Sequence, residues 1–225
     1  MPLPGKGFLA IWNDVEPANE AEWLRWHTIE HMPERVGVPG FLGGRRYADW
    51  RLARHRFFTL YLGEAVTTFN SPPYLERLDN PTPWTTRLAP HFRNFLRGAC
   101  RIVASDGHAI GGAIATVRLK IDDFAKASNA AETQALVARL MGLEGVVAAH
   151  IGLQETSVSG VQTKEKALRG DGPATGFAGV VLVEGLGRRE IEARLAAIAN
   201  AIRSGPLGLM PAETNVYDLC LHLGK

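Results

Sequence analysis

The sequence has few cysteines, no long apolar run and no basic leader at its N-terminus. Its two cysteines, Cys100 and Cys220, lack the CxxC and CxxH spacings of zinc and redox sites, so we expect two buried free thiols. No stretch approaches the roughly 18–20 apolar residues that span a bilayer. Met1–Lys6 has no basic segment followed by a long apolar one. These absences predict a cytoplasmic protein with no membrane partner.

Charge of either sign is also not concentrated anywhere. The chain has 25 basic and 23 acidic residues, for a net charge of +2, and no run of lysine or arginine gathers on one segment. Nucleic-acid-binding proteins normally carry such a basic stripe, so we expect no nucleic-acid partner. The composition, 46% hydrophobic and 21% charged, predicts instead a folded chain with a substantial core.

The 225 residues suit two linked modules of similar size. Residues 1–107 read as β-α-β-β-α-β, and residues 108–225 repeat that order. A four-stranded sheet with helices on one face leaves its other face bare, and two such sheets can cover each other. The predicted fold class is α+β, with two tandem ferredoxin-like βαββαβ modules whose antiparallel sheets pack face to face as an α+β barrel. Pairing with a second copy as a homodimer stays open.

The two halves differ in aromatic content. All five tryptophans, seven of nine phenylalanines and five of seven histidines come before residue 110. Pockets for organic ligands have aromatic walls and a few placed polar groups. The first module is therefore the predicted site for a small-molecule ligand, and the second a lid or structural partner. Bulkier packing of the first core is the structural alternative.

One predicted helix is rich in functional groups. Asn19 and Glu22 form a potential capping box, and the helix is expected to run to about Arg35. Helical spacing gives a core stripe with His31 at its edge, where it would face a pocket margin, and a polar side beside it. The stripe comprises Ala21, Leu24, Thr28, Met32 and Val36, and the polar side Trp23, His27 and Glu30.

His27 and His31 are four residues apart, so both imidazoles could reach one metal ion. His27-Thr-Ile-Glu30-His31 also matches the HxxEH pattern of inverzincin metalloproteases. Pro33 lies just beyond the pattern and no further acidic ligand can be identified, so we expect no metal. The near-neutral pKa of histidine suits an acid/base or hydrogen-bonding role for His31. A structural His pair is the alternative.

Several motifs in residues 7–104 resemble those of a known family. The segment Trp26-His-Thr-Ile-Glu-His31-Met-Pro33, then Pro39-Gly-Phe41 and Arg45-Arg-Tyr47, is similar to the W-x4-H-x-P helix, P-G-F and R-R-Y motifs of EthD-like proteins in the dimeric α+β barrel superfamily. Ser71-Pro-Pro-Tyr74 and Asn80-Pro-Thr-Pro-Trp84 resemble the family's second helical region. The second module matches only in element order. Most members pair two separate chains, whereas here the partner is fused.

The resemblance implies a cavity between helices and sheet and a link to aromatic or polyketide-like molecules. Relatives include cofactor-free monooxygenases, cyclases, isomerases, haem proteins and members without known activity. We expect a cofactor-independent enzyme, with a non-catalytic binding or structural module and a haem protein as alternatives. The candidate catalytic residues are His31, Tyr47 and Tyr61, and the candidate ligand-binding residues are Trp12, Asn13, Trp26, His27, Arg45 and Trp84.

Overall fold

The computed structural model describes residues 3–169 and 176–225. Eight strands carry the fold: β1 (Gly7–Val15), β2 (Phe41–Ala48), β3 (Phe57–Gly63), β4 (Phe92–Gly107), β5 (Ala113–Ile121), β6 (Val146–Gln154), β7 (Gly179–Gly185) and β8 (Leu209–Gly224). The helices are α1 (Glu20–Trp26), α2 (Met32–Val36), α3 (Pro72–Asp79), α4 (Pro83–Leu88), α5 (Phe124–Ala127), α6 (Ala130–Met141), α7 (Thr156–Ser159), α8 (Lys164–Arg169), α9 (Arg188–Glu192) and α10 (Leu195–Arg203).

The strands close into a single barrel. The first half orders its strands β4-β1-β3-β2 and the second half β8-β5-β7-β6, all antiparallel. The edges of the two four-stranded sheets then pair, β2 with β8 and β4 with β6, so the barrel has no open edge. The predicted α+β fold with two opposed antiparallel sheets is confirmed, and the edges are joined by hydrogen bonds as well.

Strand alternation divides the side chains between the barrel interior and the outer face under the helices. In β1, Trp12 packs inside the barrel with Phe58 of β3, while Leu9 faces outward into the cluster around α2 and α3. The second half has its own outer cluster beneath α6 and α10. The helices therefore lie outside the barrel, and any pocket between helix and sheet opens on the outer face.

The helix that carries the histidines differs from its prediction. Asn19 makes no capping hydrogen bond through its side chain, so the capping box is wrong. Between α1 and α2, residues His27–His31 form a π-helical turn, which shifts the register of side chains along the helix. As a result Trp23 and His27 are buried rather than on a polar side, and Ala21, predicted in the core stripe, is exposed.

The two cysteines have different surroundings: Cys100 is buried in the barrel and Cys220 is exposed. The expectation of buried thiols is thus confirmed for Cys100 and wrong for Cys220, which lies at the irregularity where the register of β2 and β8 shifts between Leu219 and Leu221. Within the described ranges, no helix is long and apolar enough to span a bilayer.

A buried ion pair joins the two halves of the chain outside the barrel. Arg35 at the end of α2, only 2% exposed, donates to Glu165 of α8, and Glu34 also lies 3.3 Å from the Arg35 guanidinium. Glu165 receives a second hydrogen bond from Arg169 at 2.7 Å. The second half of the chain thus reaches across and holds α8 against the helices of the first half.

Replacing Glu165 by Ala should destabilise the protein strongly, because it leaves the buried Arg35 charge without its main partner. We expect a loss of about 3 kcal/mol in the free energy of unfolding, measured by chemical denaturation. Glu144→Ala, which breaks the exposed Arg194–Glu144 pair, is the control and should cost less than about 1 kcal/mol. Equal losses in the two variants would show that α8 is not anchored by this pair.

Candidate functional site

A pocket lies between the π-helical turn and the outer face of the first-half sheet. It encloses a cavity of about 70 Å³ within a wider cleft of about 950 Å³ that includes open solvent. Aromatic side chains supply much of its wall, as expected of a site for an organic ligand. These wall residues are Trp23, Trp26, Phe69, Tyr74, Phe92 and Phe95.

Three structural layers contribute polar groups to this pocket. The helix layer gives His27, His31 and Arg35, and the sheet gives Asn13, Thr59, Tyr61 and Arg97. The α7–α8 segment of the second half gives Ser159, Thr163, Glu165, Lys166 and Arg169. The pocket is therefore not confined to residues 1–107, because the α7–α8 segment of the second half forms part of its lining.

The π-helical turn stacks the two histidines against the tryptophans. The His31 ring lies 4.3 Å from Trp26 and 5.6 Å from His27, measured between ring centroids, and His27 stacks on Trp23 at 4.8 Å. His27 Nδ1 lies 3.4 Å from Arg46 Nη1. Since a guanidinium can only donate, Nδ1 of His27 accepts and its proton sits on Nε2. His27 is thus fixed in place by Arg46.

Five buried polar atoms of pocket-lining residues have no hydrogen-bond partner in the described structure: His31 Nδ1, Tyr61 Oη, Thr59 Oγ1, Trp23 Nε1 and Arg35 Nη1, the last of which has an ion-pair contact with Glu34. Their side chains are between 1% and 9% exposed. A buried polar group without a partner costs about 1–3 kcal/mol, so such groups are rare and usually functional. A cluster of five around one pocket is best satisfied by polar atoms of a bound ligand.

Three ionisable side chains of the pocket, His27, His31 and Tyr61, are held in their neutral forms. Burial lowers the pKa of His31 well below its usual value, and the positive charges of Arg35 and Arg169 lower it further. Burial likewise depresses the pKa of His27, assisted by His31, Arg46 and Arg35. Burial raises the pKa of the Tyr61 phenol. At neutral pH His31 is an uncharged acceptor or base, and Tyr61 is a hydroxyl that can donate.

Tyr61 has little freedom to move. Its ring makes an edge-to-face contact with Phe41, at 5.9 Å between centroids. Tyr61 pairs with Gly44 across β2 and β3, and a side-chain carbon at Gly44 would lie 2.9 Å from both the Tyr61 ring and Met32. The glycine therefore leaves the space that the phenol ring occupies beside the helix.

The predicted site residues divide into three groups. His31, Tyr61, Asn13, Trp26 and His27 line the pocket together. Trp84 is half-buried outside it, where its Nε1 donates to Glu22 of α1 at 2.9 Å. The remaining three, Tyr47, Arg45 and Trp12, lie inside the barrel.

Tyr47 and Tyr61 were expected to converge on one ligand, and the structure separates them. Tyr47 pairs with Phe58, whereas Tyr61 pairs with Gly44, and the odd spacing between Phe58 and Tyr61 places the two tyrosines on opposite faces of the sheet. Arg45 shares the face of Tyr47, as predicted, and its Nη1 lies 3.5 Å from the Tyr47 hydroxyl. The register, which sequence alone does not give, decides this outcome.

Arg45 belongs to a closed polar network in the barrel. It donates to Glu184 Oε1 at 2.8 Å, and Glu184 Oε2 accepts from the Gly111 backbone amide at 2.9 Å. His150 bridges Glu184 Oε1 at 3.3 Å and Ser105 Oγ at 2.8 Å. Although burial opposes ionisation, the hydrogen bond from His150 and the charge of Arg45 hold the pKa of Glu184 below its usual range. The Glu184 carboxylate is thus satisfied by protein groups, unlike the pocket atoms.

Sequence reasoning missed several pocket residues. Arg35 follows His31 by four residues and Thr59 precedes Tyr61 by two, so helical and strand periodicity could have found both. Glu165 and Lys166 had no such signal, because only the tertiary fold brings α8 to the pocket. Among the described residues, no group of three or more His, Cys, Asp or Glu side chains is placed to bind a metal ion.

No protein-family model matches the sequence, and no curated protein sequence matches it. Solved structures do match over nearly the whole chain. An anthrone oxidase-like protein superposes with a TM-score of 0.62 at 10% identity, covering 96% of this chain and 91% of its own. A candidate monooxygenase of Fusobacterium nucleatum gives 0.59 at 12% identity, with coverage of 98% and 95%.

A chlorite dismutase variant of Candidatus Nitrospira defluvii, crystallised with cyanide, gives a TM-score of 0.57 at 12% identity and covers 97% of this chain and 92% of its own. Identities this low show a common fold and do not show a common reaction. The chain therefore has a ferredoxin-like α+β barrel fold.

Proposed function

We propose that the protein is a cofactor-independent enzyme that removes a proton from a small aromatic, polyketide-like substrate in the outer pocket. The observation that carries the proposal is the cluster of buried, unpartnered polar atoms between aromatic walls, His31 Nδ1 and Tyr61 Oη above all. The similarity of fold to an anthrone oxidase-like protein and a candidate monooxygenase supports this class of substrate.

His31 is the proposed base. Its neutral imidazole takes the proton from a hydroxyl group or from a carbon conjugated with a carbonyl group, and the substrate becomes a phenolate or enolate. Burial disfavours an isolated imidazolium, but the new substrate anion lies beside it, and the attraction between opposite charges is strong in a site shielded from water. Tyr61 donates a hydrogen bond from its phenol to the oxygen on which negative charge develops, and this lowers the energy barrier to proton removal.

We also propose that the chain arose by duplication of an EthD-like module. Residues 1–107 would be the module that carries the catalytic residues, and residues 108–225 the fused partner. The W-x4-H-x-P, P-G-F and R-R-Y motifs in the first half and the matching strand orders of the halves support it. Association into a homodimer and a cytoplasmic location belong to the same proposal.

A non-catalytic binding protein is the second candidate. The low pKa of His31 makes it a weak base, and a weak base is still a good hydrogen-bond acceptor. In that case the same pocket would hold the aromatic molecule without converting it. An absorption band of bound haem in the purified protein would favour the haem alternative instead.

Deuterium exchange separates catalysis from binding. Anthrone, a tricyclic ketone with an acidic C–H group, is incubated with the protein in D2O under nitrogen, and exchange at that carbon is followed by NMR. We expect wild-type protein to accelerate exchange, and His31→Gln to slow it on the order of 10²-fold because the base is lost. Tyr61→Phe should slow it by about the same factor, because the oxyanion loses its donor.

Two variants outside the pocket serve as controls for this exchange experiment. Tyr217→Phe removes a buried phenol of the barrel interior that donates to the His55 carbonyl, and His108→Gln changes an exposed histidine. Both variants should accelerate deuterium exchange at the acidic carbon of anthrone as much as wild type does. Wild-type rates in His31→Gln would contradict the catalytic role of His31. Tight anthrone binding without accelerated exchange would favour the binding protein.

Stability should fall as the pH falls below about 6.5, because His27 and His31 are buried in their neutral forms. The pKa of each is lower in the folded than in the unfolded chain, so the unfolded chain binds more protons. A fall in pH therefore stabilises the unfolded chain relative to the folded one. Each histidine contributes up to about 1.4 kcal/mol per pH unit until its folded-state pKa is reached.

The measurement is the free energy of unfolding of wild type and of the His27→Gln/His31→Gln double variant from neutral to mildly acidic pH. The double variant should lose less stability per pH unit than wild type. His55, whose pKa is also lowered, chiefly by burial, contributes equally to both proteins. Parallel pH profiles for the two proteins would show that the pocket histidines are not held neutral by the fold.

A further inference from the structure

The charges that line the pocket are unbalanced. Four cationic side chains, Arg35, Arg97, Lys166 and Arg169, line it, and among the described lining residues the only carboxylate is that of Glu165. Both carboxylate oxygens of Glu165 are already used, Oε2 by Arg35 and Oε1 by Arg169. Glu165 is therefore paired with Arg35 and Arg169, and it makes no ion pair with the other two cations in the described structure.

Arg97 and Lys166 are half-buried, and neither side chain forms an ion pair or hydrogen bond with any residue in the described ranges. Arg97 lies on β4 opposite Ile11 of β1, so it projects from the outer face of the sheet into the pocket. Lys166 reaches the pocket from α8, which covers it. One cation thus comes from the sheet and the other from the second-half segment over it.

Most other arginines of the protein are paired. Arg93 and Arg101, on the same strand as Arg97, contact Glu16 and Glu155, and Arg118 contacts Glu213. A partly desolvated cation without a carboxylate partner is unfavourable unless the anion of a bound ligand pairs with it. The same pocket offers uncharged hydrogen-bonding groups, His31 and Tyr61, among aromatic walls.

We infer that the substrate is an aromatic acid, whose carboxylate binds Arg97 and Lys166 while its ring hydroxyl or carbonyl oxygen meets His31 and Tyr61. This inference rests on the proposed function and specifies its substrate class. The guanidinium and ammonium groups hold one end of the molecule, so the reacting end is presented to His31 in a single orientation. A positive pocket also stabilises the anion that forms when His31 takes the proton.

Two naphthalene probes that differ only in a carboxylate test the inference by isothermal titration calorimetry. 6-Hydroxy-2-naphthoate carries both the hydroxyl and the carboxylate, whereas 2-naphthol carries the hydroxyl alone. Wild type should bind the hydroxynaphthoate on the order of tenfold more tightly than 2-naphthol, and added salt should reduce this preference. The double variant Arg97→Gln/Lys166→Gln should lose the preference and bind 2-naphthol as wild type does.

Two further variants guard against indirect effects. Lys164→Gln/Arg203→Gln removes the same net charge at exposed positions outside this pocket and should keep the preference. Lys166→Gln alone, on a short outer helix, keeps Arg97 in place in case the double variant does not fold, and should lose part of the preference.

The two proposals fail in different ways. Equal affinity of wild type for both probes, or an unchanged preference in Arg97→Gln/Lys166→Gln, would overturn the carboxylate inference. Unchanged binding of 2-naphthol in His31→Gln and Tyr61→Phe would instead contradict the proposed function. If those two variants weaken binding of both probes by the same factor while Arg97→Gln/Lys166→Gln weakens binding of the naphthoate alone, the carboxylate inference and the placement of the substrate beside His31 and Tyr61 are both supported.

Discussion

Alternation of side chains along the strands of a closed barrel is the constraint on which the rest of the structure depends. Because every strand is paired on both sides, each side chain points either into the barrel or outward beneath the helices. The interior is filled by large aromatic residues such as Trp12 and Phe58, which leave the outer face for binding. Thr59 and Tyr61 meet the histidine helix only because they fall on that outer face.

Buried polar groups inside the barrel and in the outer pocket differ in how many hydrogen-bond partners the protein supplies. In the interior, Arg45 and His150 hydrogen-bond to Glu184, and this network stabilises the barrel although Arg45 Nε has no partner. In the outer pocket, His31 and Tyr61 are as deeply buried and lack partners. Buried unpartnered atoms also occur elsewhere, but their concentration around one pocket argues that the pocket is arranged for a ligand. The α8 helix, held by the Arg35–Glu165 pair, completes the cover.

Much of the fold followed from local patterns, and much of the site did not. Strand alternation and the duplicated element order were enough for the barrel, and helical spacing identified His31 as a pocket residue. The π-helical turn at His27–His31 is invisible to a regular helical period, so Trp23 and His27 were assigned to the wrong face. The separation of Tyr47 from Tyr61 depends on strand register, and the approach of Lys166 depends on a contact between distant parts of the chain.

A crystal structure of the protein grown with anthrone tests most directly whether the outer pocket holds a ligand through its unpartnered polar atoms. We expect the anthrone rings between the aromatic walls, with the carbonyl oxygen within hydrogen-bonding distance of Tyr61 Oη and the acidic carbon facing the His31 ring. Anthrone bound elsewhere, with His31 Nδ1 and Tyr61 Oη hydrogen-bonded to protein groups, would contradict this.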